Sequence, residues 1–294
     1  ELGRDEAIKK YKIKSKFRII PKGFGNYCGK NIFEVEQVCV ATNTMNFESF
    51  LKCRQHSFVI KVISQQIFTP IKKLTEKFGI SWYDVTRGVD NLLKDGNYKG
   101  KFKEIYDGFC KESVTECFDT NEEVVAFYNK EKNYESLMQG DIGENLIEKY
   151  VGKTILYYND LTTILFLVIR DKLASNLKNE SNSIINSAEK WLKNLYMIEE
   201  IFNDEKSLKI DNQVELRIDF DFPKWLSKSH LPFDKFKNKC TYKINYDIEK
   251  VKYYRDTRKN YDKNYNKIRS IARFIRGYMS RGASNFEKEF RKIN

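Results

Sequence analysis

The period of the hydrophobic pattern changes twice along this chain, and that change constrains the fold more than any other feature. From residue 47 to residue 206 apolar side chains recur every three or four positions, which places them on one stripe of an α-helix. Toward both ends they recur every second position, which places them on one face of a β-strand. The clearest helical run is Ile184, Ala188, Trp191, Leu195, Ile198 and Phe202. The same spacing predicts helices over 47–63, 67–78, 82–93, 102–117, 122–129, 137–150 and 161–177. Asn46 suits the N-cap of the first, because its side chain can accept a first-turn amide.

From Tyr11 to Ile19 the odd positions Tyr11, Ile13, Phe17 and Ile19 are apolar, while Lys10, Lys12, Lys14, Lys16 and Arg18 are basic. That is a half-buried strand. Its charged face could meet phosphates, and such a face also keeps an exposed strand from pairing with other chains. A turn is expected over 21–26, where Pro21, Gly23 and Gly25 cluster, and then a second strand from Ile32 to Ala41. Its end, Val38-Cys39-Val40-Ala41, is apolar on both faces, as in a parallel sheet covered on both sides. Period two returns at Leu208, Ile210, Val214, Leu216, Ile218, Phe220 and Phe222, with a bend at Asp211-Asn212 and a short partner strand near 242–246. A basic amphipathic helix is expected to close the chain, with Ile268, Ile271, Ile275, Tyr278 and Met279 inward. The predicted fold class is therefore α+β, mainly α. Its regions are a strand-rich start (1–46), a helical body (47–206) and a strand pair plus basic helix packed on that body (207–294).

With 21 Phe, 18 Tyr and only four Pro, the chain has ample material for a core and little for linkers. Its 53 Lys and Arg exceed its 41 Asp and Glu by 12, a surplus that suits an acidic partner. The surplus gathers at the ends: 241–294 holds fifteen basic residues against six acidic ones, and 9–30 holds eight against none. Six cysteines (Cys28, Cys39, Cys53, Cys110, Cys117, Cys240) at irregular gaps predict reduced thiols in a cytoplasmic protein. The most apolar stretch, Leu161 to Ile169, is far shorter than the roughly 20 residues of a membrane span. The chain opens mid-charge at Glu1-Leu2-Gly3-Arg4 without a methionine, so further polypeptide is expected upstream.

Several residues were candidates for chemistry. Asp219 and Asp221, two apart on an expected strand, would face one way and could share a cation, although the alternation around them predicts a solvated face. Glu112 and Glu116, and likewise Glu144 and Glu148, are one helical turn apart and read as surface charges, without a histidine at metal-site spacing. Cys110 and Cys117 fall on one helical stripe as core residues. His56 and His230 are too few for a His-rich metal centre. Gly23-Phe24-Gly25 lacks the third glycine of a dinucleotide loop and reads as a turn. Gly140 to Glu144 resembles a loop entering a helix, whose amides can hold an anion. Arg54 stands among Phe47, Phe50, Leu51 and Phe58, where a guanidinium needs a partner. That partner is either a carboxylate such as Glu34 or Glu36 of the preceding strand, the favoured choice, or a bound anion. No residue is assigned a catalytic or cofactor-binding role, and no metal ligand is identified.

Two stretches carry a family resemblance: Phe17-Arg18-Ile19-Ile20-Pro21-Lys22-Gly23-Phe24-Gly25, and Val35 through Val38-Cys39-Val40-Ala41-Thr42-Asn43-Thr44-Met45-Asn46 to Arg54. They resemble the segment that follows the cluster-binding part of radical SAM enzymes of the cobalamin-binding-domain type. Glu1-Leu2 is similar to the end of a proline-glycine-threonine turn late in that family's barrel, and Asp219 to Leu226 is similar to part of its C-terminal domain. The resemblance is dense near the start and patchy beyond. It implies that 1–46 are the last strands of a partial TIM barrel and that 47–206 form a helical accessory domain. It also implies a 4Fe-4S cluster on three close cysteines, reductive cleavage of S-adenosylmethionine and, in many members, cobalamin. No such cysteine triad occurs here. None of these cofactors is therefore expected to bind this chain alone, and no catalytic residue carries over.

The leading expectation is a C-terminal fragment of a radical SAM enzyme, incomplete as a catalyst, whose partner is an upstream radical SAM core in the same polypeptide. Its helical part would cover the barrel mouth, with Arg54 or His56 reaching the substrate side. A second expectation is a nucleic-acid-binding module on the Lys10 to Arg18 strand and the closing helix, with tyrosines for stacking. A third is a helical adaptor docking a protein through an exposed apolar patch.

Overall fold

The computed structural model describes residues 4–96, 98–173, 178–210, 212–262, 267–279 and 282–293. A short helix, α1 (Asp5–Tyr11), leads into β1 (Lys14–Tyr27), which pairs antiparallel with β2 (Lys30–Ala41) as a long hairpin. The chain reverses at Cys28-Gly29 and not over 21–26. Both turn residues have positive φ, 52° and 78°, which gives the twist a two-residue hairpin loop needs. Pro21 to Gly25 lie inside β1, where the register shifts between Ile19 and Phe24. Proline has no N–H for the ladder, so it belongs in such a bulge.

Antiparallel pairing corrects the parallel-sheet expectation, yet the hairpin is covered on both faces. Phe17, Ile19, Phe24, Phe33 and Val35 pack with Val124, Tyr128 and Leu137 in a small core of their own. The opposite face carries Lys16, Arg18, Glu36 and Val38 and looks toward α2 (Phe47–Ile63), where the Lys16 ammonium lies 5.4 Å from the Phe47 ring. The outer edge of β1 gains one bridge, with Phe17 and Phe118 exchanging backbone bonds of 2.9 and 2.8 Å.

As expected, Asn46 caps α2 by accepting the Ser49 amide at 2.8 Å. Then follow α3 (Thr69–Lys77), α4 (Trp82–Lys94), α5 (Lys101–Thr115), α6 (Asn121–Tyr128), α7 (Glu131–Gln139), α8 (Leu146–Ile155), α9 (Tyr158–Lys172), α10 (Lys178–Leu195) and α11 (Ile198–Phe202). A continuous helix over 137–150 does not form. Gly140 and Gly143 adopt φ of 75° and 71°, which ends α7 and opens a loop before the Asn145 cap of α8.

At the other end β3 (Val214–Ile218) stops before Asp221, whose side chain caps α12 (Phe222–Ser227), with Pro223 in its first turn. The expected partner strand exists as β4 (Cys240–Asn245). After α13 (Ile248–Asp262) and α14 (Lys267–Phe274) the chain closes on a strand rather than a helix, because β5 (Glu289–Lys292) adds to the other edge of β4. Ile271 and Ile275 are buried as expected. The side chains of Ile268, Tyr278 and Met279, and the bend at Asp211, lie outside the described residues.

The protein is thus mainly helical, with two small antiparallel sheets among the described residues. One apolar core runs from Phe58 to Phe286, so the helical body and the C-terminal sheet share an interior. The hairpin joins that body through its separate small core. Among the described residues no helix is long and apolar enough to cross a membrane.

Candidate functional site

Where the hairpin meets α2 and the start of α8, the protein has an open cavity of about 420 Å³, within the size range of small-molecule sites. Arg18, Glu36 and Val38 come from the hairpin, Phe50 and Arg54 from α2, and Tyr128 from the end of α6. Glu116 follows α5, and Gly143 to Ile147 bring the α7–α8 loop and the first turn of α8.

Glu116 holds the charges together. Its Oε1 lies 3.1 Å from Arg18 Nη1 and 2.5 Å from Arg54 Nη1, and Arg18 Nε donates to Glu36 at 2.6 Å. Burial acts against the charge on Arg18, but Glu116 and then Glu36 outweigh it and hold the guanidinium pKa above its ordinary value. Two guanidinium groups and two carboxylates therefore cancel formally.

Arg54 is bound less completely. Its side chain is 14% exposed, its contact with Glu116 is not aligned as a hydrogen bond, and the buried Nη1 has no hydrogen-bond partner. The guanidinium carbon lies 5.8 Å from the Phe50 ring centre. Tyr128, 3% exposed, makes no hydrogen bond through its hydroxyl among the described residues. Burial, followed by Glu116 and Glu112, pushes its pKa up, so the hydroxyl stays a neutral donor.

A second recess of about 290 Å³ shares Pro21, Glu144 and Asn145 with the first and carries Lys22, Lys149, Arg273 and Arg276 on its walls. Lys149 anchors this region. Its Nζ donates to both Glu112 oxygens at 2.7 and 2.8 Å and to the Asp141 carbonyl at 2.6 Å, and the Tyr150 hydroxyl donates to Glu112 at 2.8 Å. That cluster ties α8 to α5 and to the loop that forms the cavity wall.

The structure redistributes the residues singled out by sequence. Arg54 does form an internal ion pair, but with Glu116 rather than Glu34 or Glu36. Glu112 and Glu116 are partly buried partners and not surface charges. Glu144 lies in the loop before α8, so it is not one helical turn from Glu148, which pairs with Arg276 at 2.6 Å. Asp219 and Asp221 do not share a face: Asp219 is exposed, while Asp221 is buried and accepts from Tyr242 at 2.6 Å and Lys292 at 2.7 Å. The strand has already ended there. His56 is not on the cavity wall; its Nδ1 lies 3.2 Å from Asp90 Oδ2. His230 is exposed. Cys110 is half-buried, and burial pushes its thiol up to about 11; Cys117, just past α5, is likewise half-buried and raised by burial. The strand begins only at Lys14: Lys10 and Tyr11 lie in α1 and Lys12 is its left-handed C-cap, so the five basic residues do not share one strand face. Lys16 and Arg18 are moreover engaged by Asp119, Glu36 and Glu116, which weakens the strand as a phosphate-binding face. Sequence reading missed Tyr128 and Glu116 as cavity residues.

Cys28 sits at the hairpin turn, Cys53 is exposed on α2 and Cys240 is buried in β4. Among the described residues no three His, Cys, Asp or Glu side chains converge as a metal site. Comparison with protein-family models gives no match, and comparison with curated proteins gives none.

Proposed function

We propose that this chain is the C-terminal, substrate-facing part of a radical SAM enzyme and is not catalytically complete alone. One observation carries the reading: the stretches 17–25 and 35–54, which resemble that family, also supply half of the cavity wall, including Arg18, Glu36, Phe50 and Arg54. In this reading the upstream part of the same polypeptide holds the iron-sulfur cluster and S-adenosylmethionine, with cobalamin in many members. The present chain binds the substrate and keeps water from it. Among the described residues β2 pairs only with β1, which leaves its outer edge for an upstream strand.

The test is the coding sequence before Glu1. Three closely spaced cysteines in frame are the expected result, and an in-frame stop immediately upstream overturns the proposal. A longer polypeptide purified without oxygen should then carry iron and sulfide, and lose both when the three cysteines are replaced by alanine.

A further inference from the structure

We infer that the cavity between the hairpin and α8 binds the oxyanion group, a carboxylate or a phosphate, of a small polar organic anion. The inference deepens the reading of this cavity as substrate-facing and rests on it for the ligand's role, though not for binding itself.

Hydrogen-bond donors outnumber their acceptors on one side of the cavity. Arg54 presents a largely buried guanidinium whose one ion pair, Nη1 with Glu116, is not aligned as a hydrogen bond and whose other nitrogens make no hydrogen bond among the described residues. Tyr128 adds a neutral hydroxyl in the same condition, on a residue only 3% exposed. The start of α8 adds backbone donors. Asn145 accepts the Glu148 amide through its side chain at 3.2 Å and the Lys149 amide through its carbonyl at 2.9 Å. The amides of Leu146 and Ile147, both on the cavity wall, then have no partner among the described residues, as the first amides of a helix do unless something outside the helix supplies an oxygen.

A guanidinium fork, a phenol and a helix N-terminus facing one space share a single preference. Each seeks oxygen lone pairs, and the fork and the helix also favour negative charge. Neutral acceptors such as water satisfy the geometry without using the charge.

The remaining walls narrow the ligand further. Arg18 and Arg54 are formally cancelled by Glu36 and Glu116, and Glu144 adds a further carboxylate to the wall, so the cavity does not attract anions through a net field. Bare inorganic ions should bind weakly, because affinity must come from directed bonds. The Glu36 carboxylate also lines the space, and the oxygen that Arg18 Nε leaves over accepts hydrogen bonds, which suits hydroxyl or amino groups on the rest of the ligand. The ligand class is therefore a hydroxy or amino acid, or a phosphorylated polyol, small enough for about 420 Å³.

The experiment uses the whole 294-residue chain. Heat of binding and thermal midpoint are measured with malate, glutamate and glycerol 3-phosphate, with malamide, glutamic acid diamide and glycerol as the matching controls that lack the oxyanion. The expected result is binding by at least one anion and none by its control; the carboxylate and phosphate arms identify the headgroup. Tyr128→Phe should weaken that binding about tenfold while leaving the thermal midpoint nearly unchanged, since the hydroxyl it removes holds no other side chain among the described residues. Arg54→Gln should weaken it by at least as much. The inference is overturned if none of the three anions binds, or if both variants bind as the parent does. A missing cysteine triad upstream would remove the radical SAM reading and leave this binding intact, so the two failures are distinguishable.

Discussion

Replacing Lys149 by methionine tests whether the charge cluster behind the cavity carries structural weight. The Lys149 side chain is 5% exposed and its ammonium satisfies three oxygens: both of Glu112 and the carbonyl of Asp141. Methionine keeps most of the volume, so packing changes little and the electrostatic loss dominates. Removing one member of a buried ion pair costs about 3–5 kcal/mol, because the other charge is left without compensation. Two features reduce that figure here. Glu112 retains 19% exposure, and the Tyr150 hydroxyl still donates to it. The expected loss is therefore about 2–3 kcal/mol, or roughly 4–9 °C in thermal midpoint for a chain of this length.

The assay is urea and thermal unfolding of the parent, Lys149→Met, Glu112→Gln and the double variant. Each single change strands the other's partner, so the double variant should cost less than the sum, with a coupling of at least about 1 kcal/mol. A Lys149→Met variant within about 0.5 kcal/mol of the parent would refute the reasoning, since an ammonium without those bonds would have to be solvated. The Asp141 bond also holds the loop that ends at α8, so the same variant should bind the cavity's anion more weakly.

Two further predictions concern the sheets. Burial raises the Asp221 carboxyl, but hydrogen bonds from Lys292 and Tyr242 outweigh it and hold its pKa below the usual range. A carboxyl depressed on folding adds stability above its unfolded pKa of about 4 and loses it as pH falls through the folded value. Asp221→Asn should therefore cost more at pH 7 than at pH 3, and a penalty independent of pH would count against the Lys292 contact. Cys28 holds φ of 52° in the hairpin turn, a conformation asparagine tolerates better ahead of glycine. Cys28→Asn should raise the urea midpoint by the equivalent of roughly 0.5 kcal/mol, and no change would mean that the turn is not strained.

Local signals made much of the fold legible. The Asn46 cap and the spacing of Phe47, Phe50, Leu51, Phe58 and Val62 place α2 at 47–63, as found. Alternation located β3, its partner and the first part of β1, though not the start of β1, where Tyr11 ends α1. The errors arose where two local signals competed. Proline and glycine at 21–25 outweighed Cys28-Gly29 as a turn, because cysteine is an unusual occupant of a left-handed position. Apolar spacing over 137–150 concealed the break that Gly140 and Gly143 impose. The exposed four-residue β5 has no buried face to leave a pattern. The cavity was legible only through Arg54, a charge out of place on an apolar stripe. Its actual partner, Glu116, is brought to it by tertiary packing of α5 against α2, which no local period encodes.

Glu116 is the residue on which stability and binding should pull in opposite directions. The hairpin is linked to the helical body by Lys16 to Asp119 and by Arg18 to Glu116. The first link is weak, because Asp119 is 77% exposed and such pairs contribute about 0–1 kcal/mol. The second is shared with Arg54, and the Glu116 carboxylate is only 12% exposed. Glu116→Gln keeps the shape but leaves Arg18 to Glu36 alone and Arg54 beside a neutral amide. Two guanidinium groups then face each other with the Glu36 carboxylate beside them, and the charged lining, Arg18 and Arg54 against Glu36, Glu116 and Glu144, goes from net negative to neutral. Stability should fall by about 1–3 kcal/mol, since a buried charge loses its partner. Anion affinity should rise severalfold, because one carboxylate that repels the ligand is gone. If Glu116 only braces the hairpin, both quantities fall together as the cavity loosens. Titrating the parent and Glu116→Gln with the same anion, well below their unfolding temperatures, separates these outcomes by the sign of the affinity change.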